Sequence, residues 1–338
     1  MSISVKSNSI GTPPPPDGKV WTEGTLTYPY GSICYGGNKF VQVFGYGIVP
    51  RSPYGPYSSK GLYSTDGVNW TEFNMPSEQI WEDVMYGNGR FVAITAMTSE
   101  GVASRVLAYS DDGINWTQAS SGLPASNYWI GGTYGKGYFV IFSNYFEGGG
   151  GYSNRIAYST TGTSFTSKTI PVPQSADSSH NIVDIAYGDG AFVAITRDGY
   201  VLRATDPTGT WTCVNTLYDA LVDHPPGSTS HYSTIVYGNG RFVASGYKLQ
   251  AYSDDKGVTW TEVDGTTNYL SSSLRPHGAC FGNGKFVGTE AWTKTGAESN
   301  DYVRGFYGGY KIAFGNGIFV SSTNGNKRFA YSRTTNDY

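Results

Sequence analysis

The chain has 338 residues, of which 46 are glycine and 28 are tyrosine, and only 14% are charged. So few Lys, Glu and Arg residues could not cover the wet faces of long exposed helices, and an aromatic content of 15% excludes wholesale disorder. The formal net charge of −3 comes from 23 basic and 26 acidic residues spread without blocks, which argues against electrostatic capture of nucleic acid or of an anionic membrane surface.

The first residues of the chain, 1–16, read MSISVKSNSIGTPPPP and lie outside any repeated pattern. They lack the apolar run of roughly 7–15 residues that a secretory signal peptide requires, and no segment of the chain reaches the ~20 apolar residues of a membrane span. The four successive prolines favour a stiff, extended spacer. We therefore predict a docking or linker segment over 1–16 and a single domain over 17–338, in a protein made in the cytoplasm without a signal peptide.

A first repeated phrase consists of an aromatic residue, Gly, a short turn and then Phe-Val after one further residue. Its seven copies begin at Tyr35, Tyr86, Tyr134, Tyr187, Tyr237, Phe281 and Phe314. The Asn-Gly or Asp-Gly centre of most copies tolerates the positive φ of a tight hairpin turn, and the flanking residues are typical of strands. Each copy therefore predicts an antiparallel β-hairpin.

A second phrase follows in five of the repeats, and it predicts another hairpin. The copies span 63–71, 109–117, 158–166, 203–212 and 252–261, and most read Tyr-Ser, Asp, Gly and then Trp-Thr. Asp favours a turn stabilised by its own carboxylate, Gly takes the unusual backbone conformation, and Trp-Thr begins the next strand. Two hairpins in about 48 residues predict the four-stranded blade of a β-propeller. A β-solenoid, the competing architecture, has shorter rungs and would not alternate two kinds of hairpin.

The two ends of the chain divide one copy of the second phrase between them. Residues 329–334 match its first half, and residues 17–22 match its second half. We predict that residues around 17–24 supply the outer strand of the last blade, which covers an otherwise exposed sheet edge. The prediction is thus an all-β, seven-bladed propeller with four-stranded antiparallel blades, closed by an N-terminal strand that pairs with the C-terminal strand. Since the repeat between Phe281 and Phe314 lacks the second phrase, we expect a reduced sixth blade, and six blades is the alternative.

The second phrase resembles the Asp-box, or BNR repeat, of sialidase-like propellers. Residues 253–260 read SDDKGVTW and fit the pattern Ser-x-Asp-x-Gly-x-x-Trp in full, while the copies at 64–70 and 110–116 are one residue shorter. The resemblance implies a propeller and a structural turn on the face away from an active site. It assigns this structural role to Asp66, Trp70, Asp112, Trp116, Asp255, Trp260, Asp17 and Trp21. The N-terminal arginine motif of sialidases is missing, so sialidase activity is not implied.

The glycine-, tyrosine-, asparagine- and threonine-rich repeats, the low charge and the polar N-terminal segment are also similar to propeller modules of bacteriophage virion proteins. This resemblance implies a non-catalytic tail or fibre module, located in the virion, that recognises a host cell-surface glycan or protein and docks to other virion proteins through residues 1–16. No membrane insertion and no nucleic-acid partner are expected. The alternatives are a glycoside-cleaving enzyme, with Glu290 as the first acid to test, a purely structural virion protein, and a cellular protein–protein scaffold.

Candidate binding residues follow from the topology of a propeller blade. The two kinds of tight turn lie on one face of the disc, and the longer connections emerge on the other, where a rigid scaffold would present them to a ligand. Aromatic rings with polar neighbours stack on sugars and form adaptable contact surfaces. We predict ligand-binding roles for Tyr54, Tyr57, Trp81, Tyr128, Trp129, Tyr145, Tyr152, Tyr232, Trp292 and Tyr302. The three cysteines and four histidines show no metal-ligand spacing, and neither a metal nor a cofactor is expected.

Overall fold

A computed structural model describes the parts of the chain that form the sheets. The described residues are 22–25, 31–44, 58–95, 104–120, 122–124, 127–146, 152–172, 181–217, 231–247, 249–263, 278–288, 291–293, 303–304, 309–323 and 328–333. The predictions for segment 1–16 and for Asp17 and Trp21 therefore lie outside the described residues.

Within these ranges the chain forms twenty-eight strands and no helix, so the all-β prediction is confirmed. The strands of the first half are β1 (Thr22–Thr25), β2 (Gly31–Gly36), β3 (Lys39–Phe44), β4 (Ser58–Ser64), β5 (Thr71–Gln79), β6 (Trp81–Gly87), β7 (Arg90–Thr95), β8 (Val106–Ser110), β9 (Thr117–Ser120), β10 (Asn127–Gly135), β11 (Tyr138–Phe146), β12 (Tyr152–Ser159) and β13 (Thr166–Thr169). Those of the second half are β14 (Ile182–Gly188), β15 (Ala191–Thr196), β16 (Tyr200–Ala204), β17 (Thr212–Thr216), β18 (His231–Gly238), β19 (Arg241–Tyr247), β20 (Leu249–Ser253), β21 (Thr261–Glu262), β22 (Ala279–Gly282), β23 (Lys285–Gly288), β24 (Ala291–Thr293), β25 (Val303–Arg304), β26 (Gly309–Gly315), β27 (Ile318–Thr323) and β28 (Arg328–Arg333).

In the described part of the chain the strands assemble into seven antiparallel sheets of four. Six sheets, numbered 1 to 6 here, each take four consecutive strands from β2–β5 to β22–β25. Sheet 7 joins β26, β27 and β28 to β1, so that Thr22 lies opposite Tyr331 and Thr25 opposite Arg328. Sheet 6 keeps its outer strand pair, β24 and β25, although these strands have only three and two residues.

The first hairpin of each sheet has the turn that its sequence predicts. Asn88 and Gly89 have φ values of 48° and 76°, and the equivalent pairs in the other six sheets also have positive φ at both turn residues. Only Gly, Asn and Asp adopt this backbone readily, which explains the residues found there, with Lys136 as the one exception among them. The predicted first hairpins are confirmed.

The innermost strands of neighbouring sheets meet through glycine and an aromatic ring. A Cβ atom added to Gly36 would lie 2.0 Å from Cγ of Tyr86, and one added to Gly315 would lie 2.0 Å from Cγ of Tyr35. The same contact joins Gly87 to Tyr134, Gly135 to Tyr187, Gly188 to Tyr237, Gly238 to Phe281, and Gly282 to Phe314. These glycines are therefore required by the close approach of the next sheet, not by the turn that follows them.

The hydrophobic core lies between the sheets. The Phe residue of the first phrase is buried in every sheet, as in Phe40, Phe91 and Phe192, and it packs with residues of the adjacent sheet. Side chains of the first turns also reach the second turn of the next sheet: Lys39 Nζ donates to the Asp112 carbonyl at 2.6 Å, and Asn316 Nδ2 donates to the Thr65 carbonyl at 3.5 Å. Sheet 7 thus contacts sheet 1 in the same way as sheet 1 contacts sheet 2.

The strand directions give the molecule two different ends. The turn end carries the first tight turn of every sheet, such as residues 88–89, and the second turn of sheets 1 to 5, such as residues 111–116. The connection end is the opposite one, where the second strand of each sheet finishes and its third strand begins, and where the chain passes to the next sheet. Because β28 runs toward the turn end and β1 runs away from it, Arg333 and Thr22 both lie at the turn end.

Candidate functional site

Three of the predicted ligand-binding aromatics belong to the core and cannot contact a ligand. Trp81 and Trp129 are 0% exposed and Tyr232 is 1% exposed. Each lies near the start of the first strand of its sheet, where the chain has already entered the space between two sheets. The prediction was wrong for these three because the spacing of the phrases does not show where a connection ends and a strand begins.

Three other predicted aromatics lie side by side across sheet 3. Tyr128 of β10 is the register partner of Tyr145 of β11, which is in turn the partner of Tyr152 of β12. All three positions are at the connection end, and the side chain of Tyr128 is partly exposed. The backbone therefore brings together residues that are distant in sequence. Trp292 lies in β24 opposite Val303, and Tyr54, Tyr57 and Tyr302 lie outside the described residues.

The carboxylates of the second turns are engaged within the turns themselves. Asp66 Oδ1 accepts the backbone N–H groups of Val68 at 2.9 Å and Asn69 at 2.7 Å, and Ser64 Oγ donates to it at 2.9 Å. Burial alone would raise the pKa of Asp66, but these hydrogen bonds lower it to about 2.

The equivalent residues of other sheets follow the same plan. Asp112 accepts from Ile114 and Asn115, and Asp255 accepts from Val258 and Thr259. The aromatic residue that ends each turn packs inward: Trp70 is buried, and Trp116 and Trp260 are partly buried. These turns hold the outer hairpins together and offer no free carboxylate for chemistry.

A cavity of about 330 Å³ lies where the first strands of all seven sheets meet, and we call it the axial cavity. Its lining includes the third residue before the aromatic of each first phrase. These seven equivalent residues are Ser32, Asp83, Gly131, Asp184, Thr234, Gly278 and Lys311. Sequence reasoning missed this site, although an alignment of the seven first phrases would have shown two acids and a lysine at one repeated position.

Asp83 links three sheets at the axial cavity. Its Oδ1 accepts a very short hydrogen bond from Ser32 Oγ of sheet 1, and its Oδ2 accepts the Gly132 backbone N–H of sheet 3 at 3.1 Å. The backbone of β6 has a register shift between Trp81 and Asp83, which interrupts the regular ladder beside this residue. Burial raises the pKa of Asp83, and Lys311 and the hydrogen bonds oppose that effect.

Asp184 makes an equivalent link between sheets 4 and 5. Its Oδ2 accepts the Thr234 hydroxyl and the Ile235 backbone N–H, both at 2.9 Å, and its Oδ1 accepts the Ile185 backbone N–H at 2.8 Å. Burial raises its pKa as well, and Lys311 again opposes the shift. The two aspartates therefore act as crosslinks between first strands near the axis.

Lys311 and Glu82 bring further charge to the same region. Burial would lower the pKa of Lys311, but the negative charges of Asp83, Asp184 and Glu82 raise it, so the side chain stays an ammonium ion. Burial raises the pKa of Glu82 to about 7, with Lys311 acting in the opposite direction and Asp83 adding to the shift. Lys311 thus lines the axial cavity together with Asp83 and Asp184, and Glu82 lies close enough to interact electrostatically with Lys311 and Asp83.

Other kinds of site are not seen in the described part of the chain. Its His, Cys, Asp and Glu side chains nowhere form a group of three or more that could hold a metal ion. No helix long and apolar enough to cross a membrane occurs among the described residues.

Comparison with known proteins identifies the fold as a β-propeller. No protein-family model and no curated protein matches the chain. Virginiamycin B lyase from Staphylococcus aureus is similar in structure, with a TM-score of 0.64 and 15% identity over 94% of this chain and 100% of that chain. YCF48 bound to D1 peptide gives a TM-score of 0.62 and 11% identity over 96% of this chain and 99% of that chain. YCF48 from Cyanidioschyzon merolae gives a TM-score of 0.61 and 12% identity over 94% of this chain and 99% of that chain. Identities this low show the fold alone, which an enzyme and a peptide-bound protein share.

Proposed function

We propose that the protein is a non-catalytic module of a bacteriophage virion, in a tail or fibre, which recognises a host glycan or protein through its connection end. The observation that carries this proposal is the separation of the two ends of the molecule. The first and last described strands leave the domain at the turn end, while the connections between strands two and three and between sheets all begin and end at the opposite end. A module built this way can be attached on one side and bind on the other.

The same proposal includes a closed ring of seven blades. Three contacts support closure: β1 pairs with β28, β26 packs against β2, and Gly315 lies under Tyr35. The turn hydrogen bonds of Asp66, Asp112 and Asp255 are those expected of an Asp-box, in agreement with a structural role. Such a ring supplies a rigid frame on which connections of different length are placed.

The register of sheet 3 directs the first binding experiment to Tyr128, Tyr145 and Tyr152. We expect the full chain to bind host cells or members of a glycan array, and Tyr128→Ala to weaken this binding by about tenfold, as loss of one aromatic anchor typically does. Tyr138→Ala is the matched control, because Tyr138 is a partly exposed tyrosine of the same sheet at the turn end. Equal loss in both variants, or no binding to any host surface, would contradict recognition through the connection end.

Attachment through residues 1–16 is tested separately. A chain that lacks residues 1–12 is expected to fold and to bind the host ligand with unchanged affinity, but not to be incorporated into virus particles. Normal incorporation of this truncated chain would show that the segment has no docking role. Normal assembly together with no host binding by the full chain would instead favour a purely structural virion protein.

A glycoside-cleaving enzyme remains the second candidate, and one observation favours it. Glu82 has a pKa raised to about 7 and adjoins Asp83, which lines the axial cavity with Asp184; a carboxyl group with a raised pKa close to a carboxylate is an arrangement that acid–base hydrolysis uses. Glu290, the acid named from the sequence, lies outside the described residues. Cleavage of host polysaccharide that is lost in Glu82→Gln or in Glu290→Gln would establish this function in place of simple recognition.

A further inference from the structure

Sheet 6 has the shortest strands of the seven sheets. Its strands β22, β23, β24 and β25 have four, four, three and two residues, whereas the strands of sheet 2 have seven, six, five and four. β24 forms two residue pairs with β23 and two with β25, while each equivalent pair of strands in sheet 2 shares four. Because fewer residue pairs bring fewer ladder hydrogen bonds, the backbone of sheet 6 is held less firmly than that of sheet 2.

Sheet 6 also buries less apolar surface. Its first strand, β22, buries one residue of four, whereas β6 of sheet 2 buries five of seven. Among the described residues, the hydrophobic cluster between sheets 6 and 7 has three buried members, Val287, Ile312 and Phe319, and the cluster between sheets 3 and 4 has twelve. Since apolar burial is the main favourable contribution to folding, sheet 6 gains less from packing against its neighbour.

The carboxylate crosslinks near the axis do not start from sheet 6. Asp83 links sheet 2 to sheets 1 and 3, and Asp184 links sheet 4 to sheet 5. Sheet 6 has Gly278 at the equivalent position, and glycine has no side chain that could form such a link. A device that fastens other first strands together is therefore missing at this position of the fold.

The second tight turn, which fits one sheet against the preceding one, is missing from sheet 6 as well. A Cβ added to Gly67 in the second turn of sheet 1 would lie 2.8 Å from Cγ2 of Val320 in sheet 7. The equivalent atom added to Gly113 of sheet 2 would lie 2.9 Å from Cγ2 of Val41 in sheet 1. Sheet 6 has no copy of the second phrase and cannot make this contact with sheet 5.

We propose that sheet 6 opens locally while the sheets on either side of it stay closed, and that this opening gives access to the axial cavity from the side. β22 contributes Gly278, Ala279, Cys280 and Phe281 to the lining of the cavity, so its displacement removes one wall. Proteins open locally where few apolar contacts and short hydrogen-bonded ladders hold a segment. The proposal does not depend on the proposed function, which uses the connection end.

Two cysteines at equivalent positions report such an opening. Cys280 of β22 and Cys34 of β2 each come directly before the aromatic residue of a first phrase, and both side chains are partly buried. Burial raises the pKa of both thiols, and Asp83 adds to the shift at Cys34. Because the thiolate is the reactive form, each thiol should react mainly when its own sheet opens.

The test is labelling of the full chain with a bulky maleimide. Cys213→Ser removes the third thiol, and mass spectrometry of the digested protein follows Cys34 and Cys280 separately. Without urea, we expect Cys280 to be labelled at least about a hundredfold faster than Cys34, since a factor of ten corresponds to only about 1.4 kcal/mol of opening free energy. The rate at Cys280 should also rise less steeply with urea, because local opening exposes less surface than global unfolding. Equal rates with the same dependence on urea would overturn the proposal.

Two matched variants distinguish opening of sheet 6 from entry of the reagent into a closed cavity. Val287→Ala removes part of the cluster between sheets 6 and 7, and Val92→Ala makes the same change at the equivalent buried residue of sheet 2. We expect Val287→Ala to accelerate labelling of Cys280 by about tenfold, and Val92→Ala to leave that rate unchanged without urea. A rate at Cys280 that does not respond to Val287→Ala, or that Val92→Ala raises by the same factor, would refute local opening.

Discussion

The contact between glycine and an aromatic ring predicts how tightly neighbouring sheets are fitted together. In Gly87→Ala the new methyl carbon would lie 2.0 Å from Cγ of Tyr134, whereas carbon atoms in contact are about 3.5–4.0 Å apart. The ring cannot simply turn aside, because Tyr134 packs against Phe139 with ring centroids 4.9 Å apart. We expect Gly87→Ala to lower the free energy of unfolding by about 3 kcal/mol, at the upper end for an overpacked core.

A matched substitution two residues away separates crowding from backbone strain. Gly89 has a φ of 76° and no atom within 4 Å of an added Cβ, so Gly89→Ala should cost only the left-handed backbone conformation, about 1 kcal/mol. The free energy of unfolding of both variants is measured by urea unfolding followed by tryptophan fluorescence. The double variant Gly87→Ala with Tyr134→Ala should lose less of this free energy than the sum of the losses in the two single variants. If Gly87→Ala proved no more destabilising than Gly89→Ala, the close approach of the sheets would not be the reason for this glycine.

Three further predictions concern charge. Burial raises the pKa of Glu82 to about 7, with Lys311 opposing the shift and Asp83 adding to it, so as the pH rises the unfolded chain loses this proton before the folded chain does. The free energy of unfolding should therefore fall by up to about 3 kcal/mol between pH 4.5 and pH 7. Unfolding curves measured across this range should show that Glu82→Gln removes this fall. Asp66 has its pKa lowered from 3.8 to about 2, so its contribution is present above pH 4 and is lost as the pH falls through 2; Asp66→Asn should cost about 1 kcal/mol at pH 7, after allowance for solvent screening, and nothing near pH 1.5. Lys311→Met should destabilise the protein more at pH 8 than at pH 5, because at pH 8 it leaves ionised carboxylates without their counter-charge; a pH-independent effect would show that only packing was lost.

The repeated phrases predicted the strands and the turns because both depend on local chemistry. Positive φ at Asn88 and Gly89, and a carboxylate that closes its own turn at Asp112, are determined within a few residues of sequence. The burial of Trp81 and Trp129 depends instead on where a neighbouring sheet lies, and no short pattern contains that information. The local sequence around an aromatic residue beside a connection therefore does not show whether its side chain is exposed to solvent or buried in the core.

The axial cavity was hidden from the sequence for a related reason. Asp83, Asp184 and Lys311 are far apart in the chain, and each looks like an ordinary polar residue within a strand that ends in an aromatic residue and Gly. Only the meeting of all first strands brings the three together. In a repeat protein such a cluster can still be found from the sequence, because residues at equivalent positions of the repeats lie at the same height along the axis. Departures from the consensus at such a position are the signal to examine.

The pairing of β1 with β28 also determines how the domain would respond to a pulling force. Both strands have their outer ends, Thr22 and Arg333, on the same side, and the two strands are antiparallel over four residue pairs. A load that separates the chain before Thr22 from the chain after Arg333 would act on these hydrogen bonds one after another, as a zip opens, and not on all of them together. Mechanical failure would thus begin with β1 peeling away, while sheets made of four consecutive strands would still be intact.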